Sequence, residues 1–115
     1  MSGYRIDRAS EDIRREMTAI IRELKDPRVK DKLLTVVRVE VNSDLSCVKA
    51  YVSSIKGISD AAEAVNGLKS AAGFIRREIG NRLHMRKAPE IKFIADDSVE
   101  QGIEIFKKVK TAPHN

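Results

Sequence analysis

The first quarter of the chain carries hydrophobic residues at three- and four-residue steps, the spacing that places side chains on one face of a helix. The members of this stripe are Ile6, Ala9, Ile13, Met17, Ile20 and Leu24. The pattern predicts a helix over residues 7–25, with Asp7 or Ser10 as its cap. Pro27 should end this helix, because the residue before a proline avoids helical angles.

Two stretches of alternating hydrophobic and polar residues follow, and this period of two is typical of half-buried strands. In residues 33–41 the hydrophobic positions expected on the buried face are Val37, Val39 and Val41. In residues 46–54 the corresponding positions are Val48, Ala50 and Val52. Asn42, Ser43 and Asp44 supply turn chemistry between the two stretches, so the pattern predicts an antiparallel hairpin.

Helical spacing returns after Gly57 and changes its angle midway. Its apolar positions are first Ile58, Ala62, Val65 and Leu68, and then Ala72, Ile75, Ile79 and Leu83. An interior glycine costs about 1 kcal/mol relative to alanine in a helix, and Gly73 lies near the change of angle. Two helices that meet at a bend therefore fit the pattern better than one straight helix.

The last part of the chain predicts a third strand and a final helix. Residues 90–95 place Ile91 and Phe93 on one face of a strand and Lys92 and Ile94 on the other. Ser98 and Gln101 form a capping box. It opens a helix whose apolar positions are Val99, Ile103, Phe106 and Val109.

The order of these elements predicts an α+β fold with a three-stranded sheet. A helical crossover precedes the third strand, so this strand can join the hairpin in parallel. The helices should pack on one face of the sheet and leave the other face more open. We expect a single domain over residues 1–110 and a short polar tail over residues 111–115.

Positive charge is concentrated in one part of the chain. The protein has 115 residues and a net charge of +5, and residues 69–92 account for that excess. The basic residues in this stretch are Lys69, Arg76, Arg77, Arg82, Arg86, Lys87 and Lys92. A cationic stretch on a neutral scaffold suits phosphate backbones, whose counterion release supplies affinity that does not depend on sequence. The alternative is a solvated helix face, with Glu78 pairing part of the charge.

Few other residues are candidates for a catalytic or metal-binding role. Cys47 is alone, which indicates a reducing compartment, and a structural thiol is favoured over a nucleophile. His84 lies between arginines and either contacts phosphate or is exposed, and His114 is in the tail. We expect no metal site, no cofactor and no catalytic constellation. There is no apolar run long enough to span a bilayer, so we expect a cytoplasmic protein.

The small residues Ala71, Ala72 and Gly73 lie at the expected bend. Small side chains allow a backbone to approach another helix or the sugar-phosphate chain of a ligand. Taken alone, such a tripeptide more often serves packing. The sequence has no Gly-x-x-Gly loop, P-loop or dinucleotide fingerprint that would strengthen a phosphate-binding interpretation.

Several stretches together carry a resemblance to a known family. They are Ile-Arg-Arg-Glu-Met at 13–17, Leu-Lys-Asp-Pro-Arg-Val at 24–29, the hairpin at 39–46 and 50–53, Ala-Ala-Gly-Phe-Ile-Arg at 71–76, and the run at 83–93 that ends in Pro-Glu-Ile-Lys-Phe. The order of elements matches the type II KH topology, and the residues resemble the bacterial ribosome-binding factor A family. In that family an Ala-x-Gly kink between two helices replaces the usual Gly-x-x-Gly loop, and residues 71–73 match it.

The resemblance implies a non-enzymatic assembly factor without a cofactor. Such a factor binds the immature small (30S) ribosomal subunit and its 16S rRNA, assists maturation of the 5′ end of that RNA and supports growth in the cold. The implied partners are the small subunit, 16S rRNA and other assembly GTPases, with no membrane partner, and the implied state is a monomer. The residues that would contact RNA are the seven basic ones of residues 69–92, with residues 71–73 shaping the bend.

Two other classes of function stay open from the residues alone. A protein–protein adaptor would dock a partner on the open sheet face or on the first helix, and the basic stretch would only steer the encounter. A small hydrolase or nuclease would need a general base or a metal cluster, and the residue pattern supplies neither. The scarcity of aromatic residues disfavours binding by stacking many unpaired bases.

Overall fold

The computed structural model of the protein describes residues 2–99 and 101–102. Its elements, in chain order, are the helix α1 (Ser2–Glu23), the strands β1 (Leu34–Val41) and β2 (Cys47–Ser54), the helices α2 (Ile58–Ser70) and α3 (Ala72–Arg82), and the strand β3 (Glu90–Asp96). This order confirms the predicted α+β arrangement. The tail at 111–115 and most of the predicted final helix, with Ile103, Phe106 and Val109, lie outside the described residues.

The helix α1 buries one apolar face against the sheet. Ile13, Met17 and Ile20 have almost no solvent exposure, as the stripe predicts, and Ile21 joins them. The predicted bounds were wrong at both ends. The helix already runs from Ser2, so a cap at residue 7 or 10 is excluded, and it ends at Glu23. The side chain of Ile6 lies outside the described part of the structure.

The sheet has the order β1-β2-β3. The strands β1 and β2 pair antiparallel, whereas β2 and β3 pair in parallel, as expected for a strand that returns through a helical crossover. The helix α1 packs on β1, and α2 packs on β2 and β3. The buried apolar residues of β2 and β3 are Val48, Ala50, Val52, Ile91 and Phe93. They alternate with side chains on the other face, which α1, α2 and α3 leave open at Lys49 and Lys92. At the end of β2 the same face is covered, because Ser53 is buried and its hydroxyl accepts a hydrogen bond from the N–H of Val99 at 3.3 Å.

The strand β1 departs from the predicted alternation. The register shifts between Val36 and Arg38, which is a β-bulge that adds one residue to β1. Val36 and Val39 are therefore the buried residues of this strand, and Val37 and Val41 are only partly buried. The prediction that Val37 lies on the buried face was wrong, because a strict period of two does not pass through a bulge. Val41 lies beyond the bulge on the same face as Val39, and it packs against the core as predicted.

The helices α2 and α3 meet at Ala71, where the sequence predicts a bend. Ala71 has φ −94° and ψ 5°. Its N–H donates to the carbonyls of Gly67 and Leu68 at 3.2 and 3.1 Å, and its own carbonyl accepts from Ile75 at 2.9 Å. The helix α3 buries Ile75 and Ile79 as predicted.

The predicted apolar positions of α2 were partly wrong. Ile58 is 44% exposed and Ala62 is exposed, whereas Ala61 and Ala64 are buried beside Val65 and Leu68.

After β3, the opening turn of the last helix is shifted by one residue from the predicted capping box. The backbone N–H and the side-chain amide of Gln101 both donate to Asp97 at 2.8 Å. Asp97 and not Ser98 therefore faces Gln101.

Candidate nucleic-acid interface

The seven basic residues of the predicted site lie on four parts of the fold. Lys69 is in the last turn of α2, immediately before the bend. The arginines of α3 are Arg76, Arg77 and Arg82. Arg86 and Lys87 lie in the connection between α3 and β3, and Lys92 lies within β3. The structure therefore divides the cationic stretch, and the contacts of each member decide what it is free to bind.

Arg82 is engaged within the protein. Its guanidinium lies 3.8 Å from a carboxylate oxygen of Glu16, 3.1 Å from Glu23 and 3.3 Å from Glu78, and its side chain is 27% exposed. Partial desolvation lowers the pKa of Arg82, but the charge of Glu23 and the hydrogen bonds to Glu78 and Glu23 outweigh it, so the pKa is raised. Arg82 thus ties α3 to α1 and has little capacity left for a phosphate.

Arg76 holds the connection that follows α3. Its Nε donates to the carbonyl oxygen of Ala88 at 3.1 Å, while the side chain stays exposed. A second bond, from the N–H of Met85 to the carbonyl of Gly80 at 2.9 Å, folds the same connection back on the helix. Because Ala88 follows Lys87 directly, these bonds bring Arg76 close to the basic pair at 86 and 87.

The same connection packs beside the turn between β1 and β2. The N–H of Glu90 donates to the carbonyl of Ser46 at 2.9 Å. Residues 44–46 and 85–88 line a shallow, open concavity between the two segments. Its one carboxylate, Asp44, accepts hydrogen bonds from the hydroxyl and the N–H of Ser46 at 2.7 and 3.1 Å, and these bonds lower its pKa. The carboxylate is thus occupied in the turn and forms no ion pair with Arg86 or Lys87.

Besides Lys92 on β3, four of the predicted contacts are exposed and have no hydrogen-bond or ion-pair partner among the described residues. They are Lys69, Arg77, Arg86 and Lys87. Together with Arg76 they follow the bend, the outer side of α3 and the connection after it. We call these five residues the α3 cationic surface. The backbone bonds described above hold the segments that carry it, and its charge is available to an anion.

Lys92 lies apart from this surface. Its neighbours Ile91 and Phe93 are buried under the helices, so the alternation of a strand places Lys92 on the open face of the sheet. Its register partner on β2 is Lys49. The structure therefore does not bring Lys92 together with the cations of α3.

The three small residues at the bend divide between two environments. Ala71 and Ala72 are partly buried and pack against the core. Gly73 is exposed, and a Cβ built on it meets no heavy atom within 4 Å. The packing interpretation thus holds for the two alanines, whereas the space outside Gly73 is open to another molecule.

One exposed side chain at this site was not among the predicted residues. Phe74 follows Gly73 and is 44% exposed. The helical pattern contained the signal for it, because Phe74 lies outside the stripe formed by Ile75 and Ile79.

The cysteine and histidine considered from the sequence do not form a catalytic or metal site with other groups in the part of the chain that the structure describes. Cys47 is a partly buried free thiol of β2, and His84 is exposed with φ 53°. Within residues 2–99 and 101–102, no three His, Cys, Asp or Glu side chains are grouped so that they would hold a metal ion. Nor does this part of the chain contain a helix with the length and apolar character needed to cross a bilayer.

Comparison with known proteins gives a consistent result over nearly the whole length. The sequence profile of the family described as ribosome-binding factor A matches residues 5–109. A ribosome-binding factor A of Acetivibrio thermocellus is 50% identical over 106 residues, which are 91% of this chain and 85% of that protein.

Structures of similar proteins share the KH-like α+β fold. The crystal structure of ribosome-binding factor A from Thermus thermophilus has a TM-score of 0.69 and 26% identity, covering 78% of this chain and 93% of that one. A homology model of the Thermus thermophilus factor, fitted into a cryo-EM map of its complex with the 30S subunit, has a TM-score of 0.60 and 28% identity. The match covers 72% of this chain and 86% of that one. The similarity in sequence and fold shows that this chain belongs to the ribosome-binding factor A family.

Proposed function

We propose that this protein is a non-enzymatic assembly factor that binds the immature 30S ribosomal subunit and its 16S rRNA. The observation that carries the proposal is the α3 cationic surface, on which four basic side chains have no partner among the described residues. A Thermus thermophilus relative of the same fold has been fitted into a map of its 30S complex, which supports the small subunit as the partner.

The mechanism is electrostatic docking on folded RNA. Guanidinium groups match phosphate oxygens in their fork geometry, so Arg76, Arg77 and Arg86 suit a sugar-phosphate backbone. Lys69 and Lys87 add point charges at either end of the surface. Structured RNA is read mainly through its shape, phosphates and 2′-hydroxyls. A cationic surface with few exposed aromatic rings fits that mode better than the reading of many bases.

The contacts around Arg76 pre-organise this surface. Its bond to the carbonyl of Ala88 holds the loop that carries Arg86 and Lys87 against α3 before RNA arrives. A loop that is already ordered loses less conformational entropy on binding. Arg82 contributes indirectly, because its ion pairs with α1 fix the end of the helix from which the loop departs.

Within the cell, we propose that the protein acts in the cytoplasm, assists maturation of the 5′ end of 16S rRNA and supports growth in the cold. The support is membership of the family. Cells lacking the protein should accumulate 16S precursors with unprocessed 5′ ends, most of all at low temperature. Normal precursor levels in such cells would contradict this part, and turnover of RNA by the pure protein would contradict a non-enzymatic role.

The binding surface is tested with a matched pair of lysines. Lys87→Gln removes a charge from the α3 cationic surface, and Lys30→Gln removes the same charge from an exposed turn after α1. The first variant should bind free 30S subunits several-fold more weakly than the wild type, and the second should bind as the wild type does. Equal loss in both variants would show that only net charge matters.

The adaptor hypothesis is less well supported by the geometry. On the open sheet face, Arg38 lies 4.2 Å from the centroid of the Tyr51 ring, and the Tyr51 hydroxyl donates to Glu40 at 2.9 Å. Arg38 also pairs with Glu40 at 3.3 Å. These groups satisfy one another, and the cations of this face without a partner among the described residues are Lys49 and Lys92, compared with four on the α3 cationic surface. Binding to subunits that survives extensive nuclease treatment of the RNA would favour the adaptor.

A further inference from the structure

Phe74 is the most exposed aromatic side chain among those that the structure describes. The ring of Tyr51 is covered on one side by Arg38, and Phe93 is 4% exposed. Phe74, by contrast, is 44% exposed on the first turn of α3. Single apolar side chains on a surface are ordinary, so its exposure acquires meaning only through its neighbours.

The neighbours of Phe74 along α3 that decide what can cover its ring are Gly73, Arg77 and Glu78. Gly73 precedes it and has nothing within 4 Å of its Cβ position. Arg77 is three residues further on, a spacing that puts two side chains about 5–6 Å apart at their Cβ atoms. Arg77 is exposed and has no partner among the described residues. Glu78, the adjacent carboxylate, is engaged with Arg82 at 3.3 Å.

We infer that Phe74 and Arg77 form a binding site for one unpaired nucleotide, with the base stacked on the Phe74 ring and its phosphate at Arg77. The inference rests on the proposed function and names the RNA feature that this part of the surface takes. A base inside a duplex has no free face, so the ligand is a bulged, looped or terminal nucleotide beside a folded helix. The absent side chain at Gly73 lets the sugar-phosphate chain approach α3.

The chemistry favours RNA over an apolar protein segment as the occupant. Phe74 lies one helical turn from Arg77, whose charge is unpaired, and Lys69 and Arg76 belong to the same cationic surface, so this position favours a ligand that carries an anionic group. A nucleotide supplies a flat ring and a phosphate together. Stacking of bases on aromatic side chains is tolerant of sequence, so this site would favour an unpaired nucleotide without specifying which one.

The test compares two RNA hairpins of equal length, one fully paired and one with a single bulged nucleotide. The wild type should prefer the bulged hairpin. Phe74→Leu should weaken binding of the bulged hairpin by up to about 5- to 150-fold, the range for loss of one base–aromatic stack, and leave binding of the paired hairpin unchanged. Ile55→Ala, at a 51% exposed apolar position after β2, is the control and should change neither. A melting curve confirms that each variant is folded.

A conservative variant supplies a direct signal. The chain has no tryptophan, so Phe74→Trp places a single reporter at the site. Its fluorescence should be quenched by the bulged hairpin more than by the paired one, with wild-type affinity retained. Phe74→Leu should leave the slope of log affinity against log salt unchanged, whereas Arg77→Gln should make that slope shallower by about 0.7–0.9.

The outcomes separate this inference from the proposed function. Steep salt dependence with unchanged binding by Phe74→Leu would overturn the nucleotide site and leave the proposed function in place. Equal weakening on both hairpins would overturn the assignment to an unpaired base. Weaker binding to 30S subunits without any effect on either RNA would overturn it as well, by assigning Phe74 to a protein contact. Absence of RNA binding by the wild type would overturn both proposals.

Discussion

The guanidinium of Arg82 lies 3.1 Å from a carboxylate oxygen of Glu23, although the two residues are far apart in the chain. The contact joins the end of α3 to the end of α1. It makes Arg82 a structural residue in a segment whose other arginines face solvent. Two arginines on one helix therefore have different roles: Arg82 stabilises the fold, and Arg77 is available to bind RNA. Substitution of each residue separates the two roles by experiment.

Arg82→Gln should lower the melting temperature, because Glu16, Glu23 and Glu78 lose their shared partner and are left to repel one another. The difference from the wild type should shrink as salt is added, since these groups are partly exposed and screened. Arg77→Gln should leave the melting temperature unchanged and weaken RNA binding. Thermal unfolding and RNA titration of both variants check this, and a stable Arg82→Gln with weakened RNA binding would reverse the assignment.

Gly73→Ala and Gly67→Ala should have opposite effects on stability. The new methyl group at Gly73 meets nothing within 4 Å, so alanine should raise the free energy of unfolding by about 0.4–1 kcal/mol. At Gly67 it would lie 2.8 Å from Cγ2 of the buried Val29. Overpacking of about 1–3 kcal/mol should exceed the helical gain of about 1 kcal/mol there. Denaturant unfolding measures both values.

RNA binding supplies the second readout for this pair. Gly73→Ala should weaken RNA binding despite its greater stability, because the methyl group occupies the space through which a backbone approaches α3. A stabilised Gly73→Ala variant that binds RNA as the wild type does would mean that the open space at the bend is not used.

Stability should fall in acid, because three aspartates that hold turns have lowered pKa values in the folded protein. Hydrogen bonds from the side chain and backbone of Arg28 lower the pKa of Asp26 below its ordinary value of 3.8. Bonds from Ser46 and Ser98 do the same for Asp44 and Asp96, respectively.

The sign follows from proton binding. Near the ordinary aspartate pKa the unfolded chain binds more protons than the folded protein, so the free energy of unfolding rises with pH there. The stabilisation is complete above the unfolded pKa and is lost as the pH falls through the folded pKa. Melting curves between about pH 2 and 6 should show this loss, and in Asp26→Asn the melting temperature should fall less steeply as the pH is lowered. Asp7→Asn, at an exposed position of α1, is the control.

Lys92 and Lys87 should differ in RNA binding although both belong to the cationic stretch. Lys92 lies on the open face of the sheet, opposite Lys49, and Lys87 lies in the connection beside α3. Lys87→Gln should weaken binding to 16S rRNA several-fold, and Lys92→Gln should have little effect. Equal losses, measured at one fixed salt concentration, would mean that RNA also reaches the open face of the sheet.

The periodicity of the chain predicted most of the fold, because local patterns decide most of it. The bend at Ala71 followed from the changed angle of the apolar stripe, and the parallel third strand followed from the crossover. The bulge after Val36 was missed, because Val36 and Val37 are adjacent valines and either could take the buried position. Packing across the sheet buries Val36, and the local pattern carries no information on that choice.

The site was less predictable, because it depends on contacts between distant residues. Nothing in the local sequence shows that Arg82 meets Glu16 and Glu23, which lie on another helix. The position of Lys92 could have been predicted from the sequence, because its alternation with Ile91 and Phe93 already placed it on the other face of the sheet. Counting charge along the chain grouped Lys92 with the basic residues of α3, although the fold separates them.

Salt dependence of binding to 16S rRNA is the decisive measurement for electrostatic docking. If the α3 cationic surface neutralises about five phosphates, a plot of log affinity against log salt should have a slope of roughly −3.5 to −4.5. Replacing Arg77 and Lys87 together by glutamine should make that slope shallower by about 1.4–1.8 while the protein stays folded. A slope near zero for the wild type, or an unchanged slope for the double variant, would contradict docking through this surface.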